Sequence, residues 1–145
     1  MKSKIFSTTA EGTQIALFLI RVNFGLIYIM HGLPKIFGGP ERWEALGGAM
    51  GNVGLGFAPT FWGFLASLAE FGGGVLLVFG LLTRPAAALM AFTMLIATLM
   101  HMTAGDPIGS VLHPLKGLVV FVALLYSGPG RWAVDNKWAR QVRTG

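Results

Sequence analysis

The sequence contains no cysteine. That excludes disulfides, thiolate nucleophiles, iron–sulfur ligation and CxxC redox exchange within the chain. It is also poor in charge. Asp, Glu, Lys and Arg make up 12% of its 145 residues, about half of the ~25% usual in a soluble domain. So little polar surface argues against a soluble globule and against a disordered chain. No segment alternates with period two, which argues against a transmembrane β-barrel. Acidic residues number 6 against 11 basic ones, for a formal charge of +5. In a soluble protein this would suggest nucleic acid; in an apolar chain the membrane rules come first, and no nucleic-acid partner is expected. There is no internal repeat and no low-complexity run.

Hydrophobic length is what the chain has. Hydrophobic residues reach 54%, and mean hydropathy is +0.66. At roughly 20 residues per crossing the length allows about four crossings. Four apolar stretches stand out: Thr13–Gly32, Pro59–Leu82, Pro85–Ala104 and His113–Tyr126. Backbone groups in lipid must bond internally, so each reads as a helix. The expectation is an all-α fold, a four-transmembrane-helix bundle forming one domain over residues 1–145. Lys2 and Lys4 precede the first stretch as in a signal peptide. Arg21 and Asn23 interrupt that stretch and no small-x-small cleavage site follows, so it reads as a retained helix.

The connections differ. Leu82-Thr83-Arg84-Pro85 is a tight turn, with proline where a helix start tolerates it. The link Leu33–Ala58 is long and glycine-rich, and its middle, Pro40–Leu46, reads as a short interfacial helix. Loops of this length are usually functional. Seven basic residues fall on one side (Lys2, Lys4, Arg84, Arg131, Lys137, Arg140, Arg143) and three on the other (Lys35, Arg42, Lys116). The positive-inside rule then puts both termini in the cytoplasm, as in a multi-pass inner (plasma) membrane protein. Trp62 and Trp132 suit aromatic anchors at helix ends. The basic tail Arg131–Arg143 suits contact with anionic lipid.

Polar groups inside a bilayer need an account. Arg21 lies mid-way along the first helix and Glu70 mid-way along the second, on a small-residue face with Gly63, Ala66, Ser67, Gly73 and Gly74. Antiparallel helices would put the two at similar depth, so an Arg21–Glu70 ion pair is expected. It would either fix helix register or shape a mid-membrane site. A second cluster lies toward the other side: His31 and Lys35, His101, and His113 with Lys116. These residues would line one electropositive vestibule, with Tyr28, Phe71 and Met94 as apolar wall. Four readings stand side by side: metal ligation, haem ligation, hydrogen bonding to a quinone or small oxidised substrate, and a polar vestibule without chemistry. No HxxxH or HxxEH spacing supports a metal, so no metal or haem is predicted. Met90, Met94, Met100 and Met102 read as adaptable packing.

Several motifs together resemble the DoxX family. They are Arg21 with Gly25, followed by His31-Gly32-Leu33-Pro34-Lys35-Ile36-Phe37-Gly38-Gly39; Trp43 with Leu46-Gly47-Gly48-Ala49-Met50; and Ala69-Glu70-Phe71-Gly72-Gly73. Gly80-Leu81-Leu82-Thr83-Arg84-Pro85-Ala86-Ala87, Phe92-Thr93-Met94 with His101, and Gly128-Pro129-Gly130-Arg131-Trp132-Ala133-Val134-Asp135 complete the set. The chain departs from many relatives at His113-Pro114-Leu115-Lys116, where they carry a carboxylate. The resemblance implies a four-helix integral membrane protein, in a family named for a subunit of a thiosulfate:quinone oxidoreductase. The expected function is therefore a small membrane subunit of a redox system that binds a quinone-like or small oxidised molecule. The site would comprise Arg21, Tyr28, His31, Lys35, Glu70, His101, His113 and Lys116. With no cysteine, the redox centre would sit on the ligand or on a soluble oxidoreductase partner. Two alternatives are a non-enzymatic scaffold for such an enzyme and a small-solute carrier, the latter requiring a homo-oligomer for room.

Overall fold

A computed structural model describes residues 9–144, with side chains through residue 139. The described chain is helical: α1 (Ala10–Ile36), α2 (Gly39–Gly47), a 3-10 segment (Gly48–Val53), α3 (Pro59–Phe79), α4 (Thr83–Ala104), α5 (Ile108–Ser127) and α6 (Val134–Thr144). Four of these, α1, α3, α4 and α5, are long and apolar enough to cross a membrane. The four-helix expectation holds, with shifted ends. The first helix runs four residues past Gly32, carrying Pro34 inside its last turns. The last starts at Ile108 rather than His113 and accommodates Pro114. The glycine-rich link is mostly folded, and its short helix falls where the sequence indicated, with Pro40 at a helix start.

Helices α1 and α3 run antiparallel, with Gly25 set against Gly74 and Gly32 against Phe71. The small-residue face of α3 is the buried one: Gly63, Ser67, Glu70, Gly73 and Gly74 all lie inside. Small residues let backbones approach, which is the main source of packing where lipid is as apolar as the core. Helix α4 packs between α3 and α5. The core combines Tyr28, Leu77, Ala87, Met90, Met94, Phe121 and Leu124. Large apolar side chains such as Met30, Phe79 and Val119 face outward, as lipid-facing helix surfaces require.

The bundle has two ends. The terminal end holds the start of α1, the α3–α4 turn and α6. The loop end holds α2, the 3-10 segment and the α4–α5 turn. Of the basic residues counted for the terminal end, Lys2 and Lys4 lie outside the described residues, as do the side chains of Arg140 and Arg143.

Candidate functional site

Arg21 does not pair with Glu70. Its Nη1 donates to the carbonyls of Leu77 at 2.6 Å and Val78 at 2.9 Å, and Nη2 reaches the carbonyl of Trp132 at 3.5 Å. Leu77 is seven residues from Glu70, roughly 10 Å along the helix axis. The depths therefore differ, and the expected pair is corrected. Arg21, 1% exposed, instead closes the C-terminus of α3, where the last carbonyls lack intrahelical partners and the helix dipole is negative. Gly80 completes this end with φ 68°, and a Cβ there would strike Arg21 and Ala133. Only glycine meets both demands. One residue type answers the other helix in mirror fashion. Asp135 accepts from the amides of Leu82 at 2.7 Å and Thr83 at 2.8 Å, at the start of α4, where a carboxylate is favoured. The Asp135 amide donates to the Gly80 carbonyl at 3.0 Å. The closing motif thus ties the chain's end to the α3–α4 turn.

Glu70, 4% exposed, is paired with Lys35, whose Nζ lies 2.7 Å from Oε1 and 2.6 Å from Oε2. The extension of α1 past Gly32 is what delivers Lys35. The end of α1 is then held by α2, because the Trp43 indole donates to the Lys35 carbonyl at 2.9 Å. Helix α2 seats on the start of α3 through Gly47 and Gly63. A side chain on either would run into the carbonyl of Pro59 or Trp43. The 3-10 segment is joined to α4 by the Thr103 hydroxyl, which donates to Asn52 Oδ1 at 2.9 Å.

Under this cover lies a cavity of about 230 Å³ between α3 and α4. Trp62, Leu65, Ala66, Ser67 and Glu70 form the α3 wall. Leu89, Phe92, Thr93, Ile96, Ala97, Met100 and His101 form the α4 wall, and Leu46, Gly47, Ala49 and Met50 the roof, with Lys35 beside Glu70. Leu89 and Phe92 are also exposed on the outer surface, so the cavity communicates with the lipid side of the bundle. Its polar atoms are few. Two of the three Lys35 N–H groups are used on Glu70, leaving one donor. His101 Nδ1 lies 2.6 Å from Asp106 Oδ2. A carboxylate accepts, so Nδ1 carries the proton and Nε2 is the ring's remaining polar atom. The Trp62 indole N–H is buried without a partner.

The single vestibule expected from the sequence divides in two. Lys35, Glu70 and His101 line the cavity; His31, His113 and Lys116 do not. His31 and His113 face each other across α1 and α5, with Nε2 atoms 3.2 Å apart, and Lys116 is exposed one turn farther along α5. Tyr28 and Met94 belong to the packed core, joined by a 3.0 Å contact from the Tyr28 hydroxyl to Met94 Sδ, and Phe71 is likewise absent from the cavity wall. Sequence reasoning missed Phe92, Thr93 and Met100 as wall residues. It read Trp62 only as an interfacial anchor. Ser67 carried a signal, since it stands one turn before Glu70 on the same face.

Comparison with known proteins agrees with this architecture. The DoxX family profile matches residues 16–103. The inner membrane protein YqjF of Escherichia coli is 32% identical over 136 residues, covering 86% of this chain and 96% of that one. The membrane protein Rv3486 of Mycobacterium tuberculosis is 31% identical over 150 residues, covering 92% and 86%. A Bacillus subtilis protein named "Putative oxidoreductase CatD" is 37% identical over 82 residues, covering 57% of this chain and 56% of its own. No solved structure matches. With four spanning helices, a profile match across most of the bundle and full-length relatives in bacterial membranes, the chain is a multi-pass membrane protein belonging to the DoxX family.

Proposed function

We infer that the protein is the membrane subunit of a redox system and binds a quinone-like ring, or another small oxidised molecule bearing a carbonyl, in the cavity between α3 and α4. The observation that carries this reading is the Lys35–Glu70 pair and His101 set in the wall of an otherwise apolar cavity open toward lipid. Size supports it. A cavity of about 230 Å³ exceeds the ~150 Å³ that admits a benzene-sized molecule and falls below the ~300 Å³ of typical drug-sized pockets. It suits one ring, while an apolar tail would leave past Leu89 and Phe92 into the bilayer. The free Lys35 N–H would donate to one ring oxygen. His101 Nε2 would accept from a hydroxyl once that oxygen is reduced. Electrons would come from a soluble oxidoreductase partner, because the chain has no thiol to carry them. The name of the Bacillus subtilis relative is consistent with such a role.

The test is binding of a short-chain benzoquinone to the protein purified in mild detergent, followed by quenching of tryptophan fluorescence. Ala97→Phe, which fills the cavity, should weaken binding at least tenfold with unchanged thermal stability, and Lys35→Met should weaken it about as much, as one charge-assisted hydrogen bond implies. Unchanged affinity in Ala97→Phe would reject the site, and a cavity that takes up no quinone would favour the scaffold reading.

A further inference from the structure

His31 and His113 are separated by 82 positions in the sequence, and α1 and α5 bring their Nε2 atoms to 3.2 Å. The rings are tilted by 30° with centroids 5.2 Å apart. We propose that these two histidines form a binding site for one divalent transition-metal ion of the imidazole-preferring kind, Zn²⁺ or Cu²⁺, at the loop end of the α1–α5 seam. This site is separate from the cavity between α3 and α4, and neither histidine lines that cavity.

The separation fits a shared ion. Metal–nitrogen bonds of ~2.0–2.1 Å at a near-tetrahedral angle put the two nitrogens roughly 3.3 Å apart. A linear two-coordinate ion would need roughly 4 Å at the same bond lengths. The outer support is also present. His31 Nδ1 is 3.0 Å from the carbonyl of Ile27, so Nδ1 carries the proton and Nε2 keeps its lone pair. A backbone carbonyl holding the far ring nitrogen is the usual way a ligating histidine is oriented. In the metal-free state the His113 Nε2–H donates to His31 Nε2. Metal entry requires only that this proton move to His113 Nδ1, a tautomer change that leaves both rings neutral.

The place lies near the loop end of the bundle. Both side chains are exposed, and each lies five residues from its helix end, roughly 8 Å below the loop end. The other histidine is committed elsewhere, to Asp106. The carboxylate of Glu70 is held by Lys35. Lys116, one turn from His113, is the charge nearest in sequence and opposes a cation. Among the described residues no group of three or more His, Cys, Asp or Glu side chains converges, so water or a solvent anion would fill the remaining positions.

The experiment uses chelator-stripped full-length protein in mild detergent. Cu²⁺ is titrated with electron paramagnetic resonance as readout, and Zn²⁺ by calorimetry. The proposal expects one ion per chain, a Cu²⁺ spectrum with coupling to two imidazole nitrogens, and at least tenfold weaker binding in His31→Gln and in His113→Gln. Helicity by circular dichroism should be unchanged in both. Coupling to a single nitrogen in the wild-type protein would overturn it. So would equal affinity in the single variants, or loss of binding in His101→Gln alone. None of these outcomes bears on quinone binding.

Discussion

At the terminal end of the bundle, Arg21 is buried against backbone carbonyls of α3, and Asp135 against backbone amides of α4. At the loop end, Lys35 and Glu70 pair with each other in the wall of a cavity. Both ends place charge in an apolar bundle, and each solves the desolvation problem differently. The terminal charges complete two helix ends and join them through Gly80, so their hydrogen bonds are spent on the fold. The loop-end pair neutralises itself and keeps a donor facing space that a ligand can occupy. A buried charge bonded to the backbone of helix ends reads as structure, even with Arg21 Nε left without a partner, whereas one whose spare donor lies in a cavity wall suits a ligand.

The contrast predicts unequal costs. Arg21→Met removes the side-chain donors to the carbonyls of Leu77 and Val78 in a low-dielectric setting, and should cost about 2–3 kcal/mol, the upper range for a buried acceptor left unsatisfied. Asp135→Ala should follow at about 1–2 kcal/mol, as loss of a helix cap. Both are read from reversible unfolding in detergent, and neither should change the affinity for a benzoquinone by more than its effect on the folded fraction. A ligand defect in a well-folded Arg21→Met protein would erase the distinction between the ends.

Lys35→Met and Glu70→Gln come next. Each strands a partner, so the double variant should lose less than the sum of the singles, by about 1–3 kcal/mol. Arg21→Met with Glu70→Gln should be additive to within ~0.5 kcal/mol, because the two share no partner. A large coupling in the second cycle, with none in the first, would restore the Arg21–Glu70 pair and contradict the assignment of the two ends.

The third comparison concerns which end faces the cytoplasm, and it asks for a change of signal rather than of stability. The excess of Lys and Arg at the terminal end predicts cytoplasmic termini. A reporter fused after Gly145 should be active in the cytoplasm, and one inserted after Ala49 should be active only outside. The reverse pattern would turn the cavity's roof toward the cytoplasm. The smallest effect is expected from Lys116→Gln, an exposed change that should stay within ~0.5 kcal/mol in stability.

The helices were legible because spanning a bilayer imposes length and internal backbone bonding, which composition reveals directly. The buried face of α3 was legible for a similar reason: Gly63, Ser67, Glu70, Gly73 and Gly74 recur with helical spacing. Helix α2 was marked by Pro40 at its start. The partners of the charges were not legible. Arg21 binds carbonyls, which every residue possesses and no residue type announces. Lys35 reaches Glu70 only because α1 continues through Pro34, a residue that usually ends a helix pattern. The histidines were rightly assigned to one end of the bundle. Sequence could not reveal that α5 turns His113 toward α1 while α4 turns His101 toward α3, since helix rotation is set by packing. The cavity's α4 wall was hidden in the same way, because Phe92 and Thr93 look like lipid-facing residues until a neighbouring helix is in place.

The loop-end charges are proposed to serve a ligand site between α3 and α4. The most direct measurement is photo-crosslinking of an azido-benzoquinone to the protein in lipid vesicles, followed by mapping of the labelled peptides. Label is expected on the α3 and α4 segments that carry Trp62, Ala66, Phe92 and Ala97, competed away by unlabelled benzoquinone and lost in Ala97→Phe. Competable label confined to α5, or to the terminal end around Arg84 and Arg131, would contradict it.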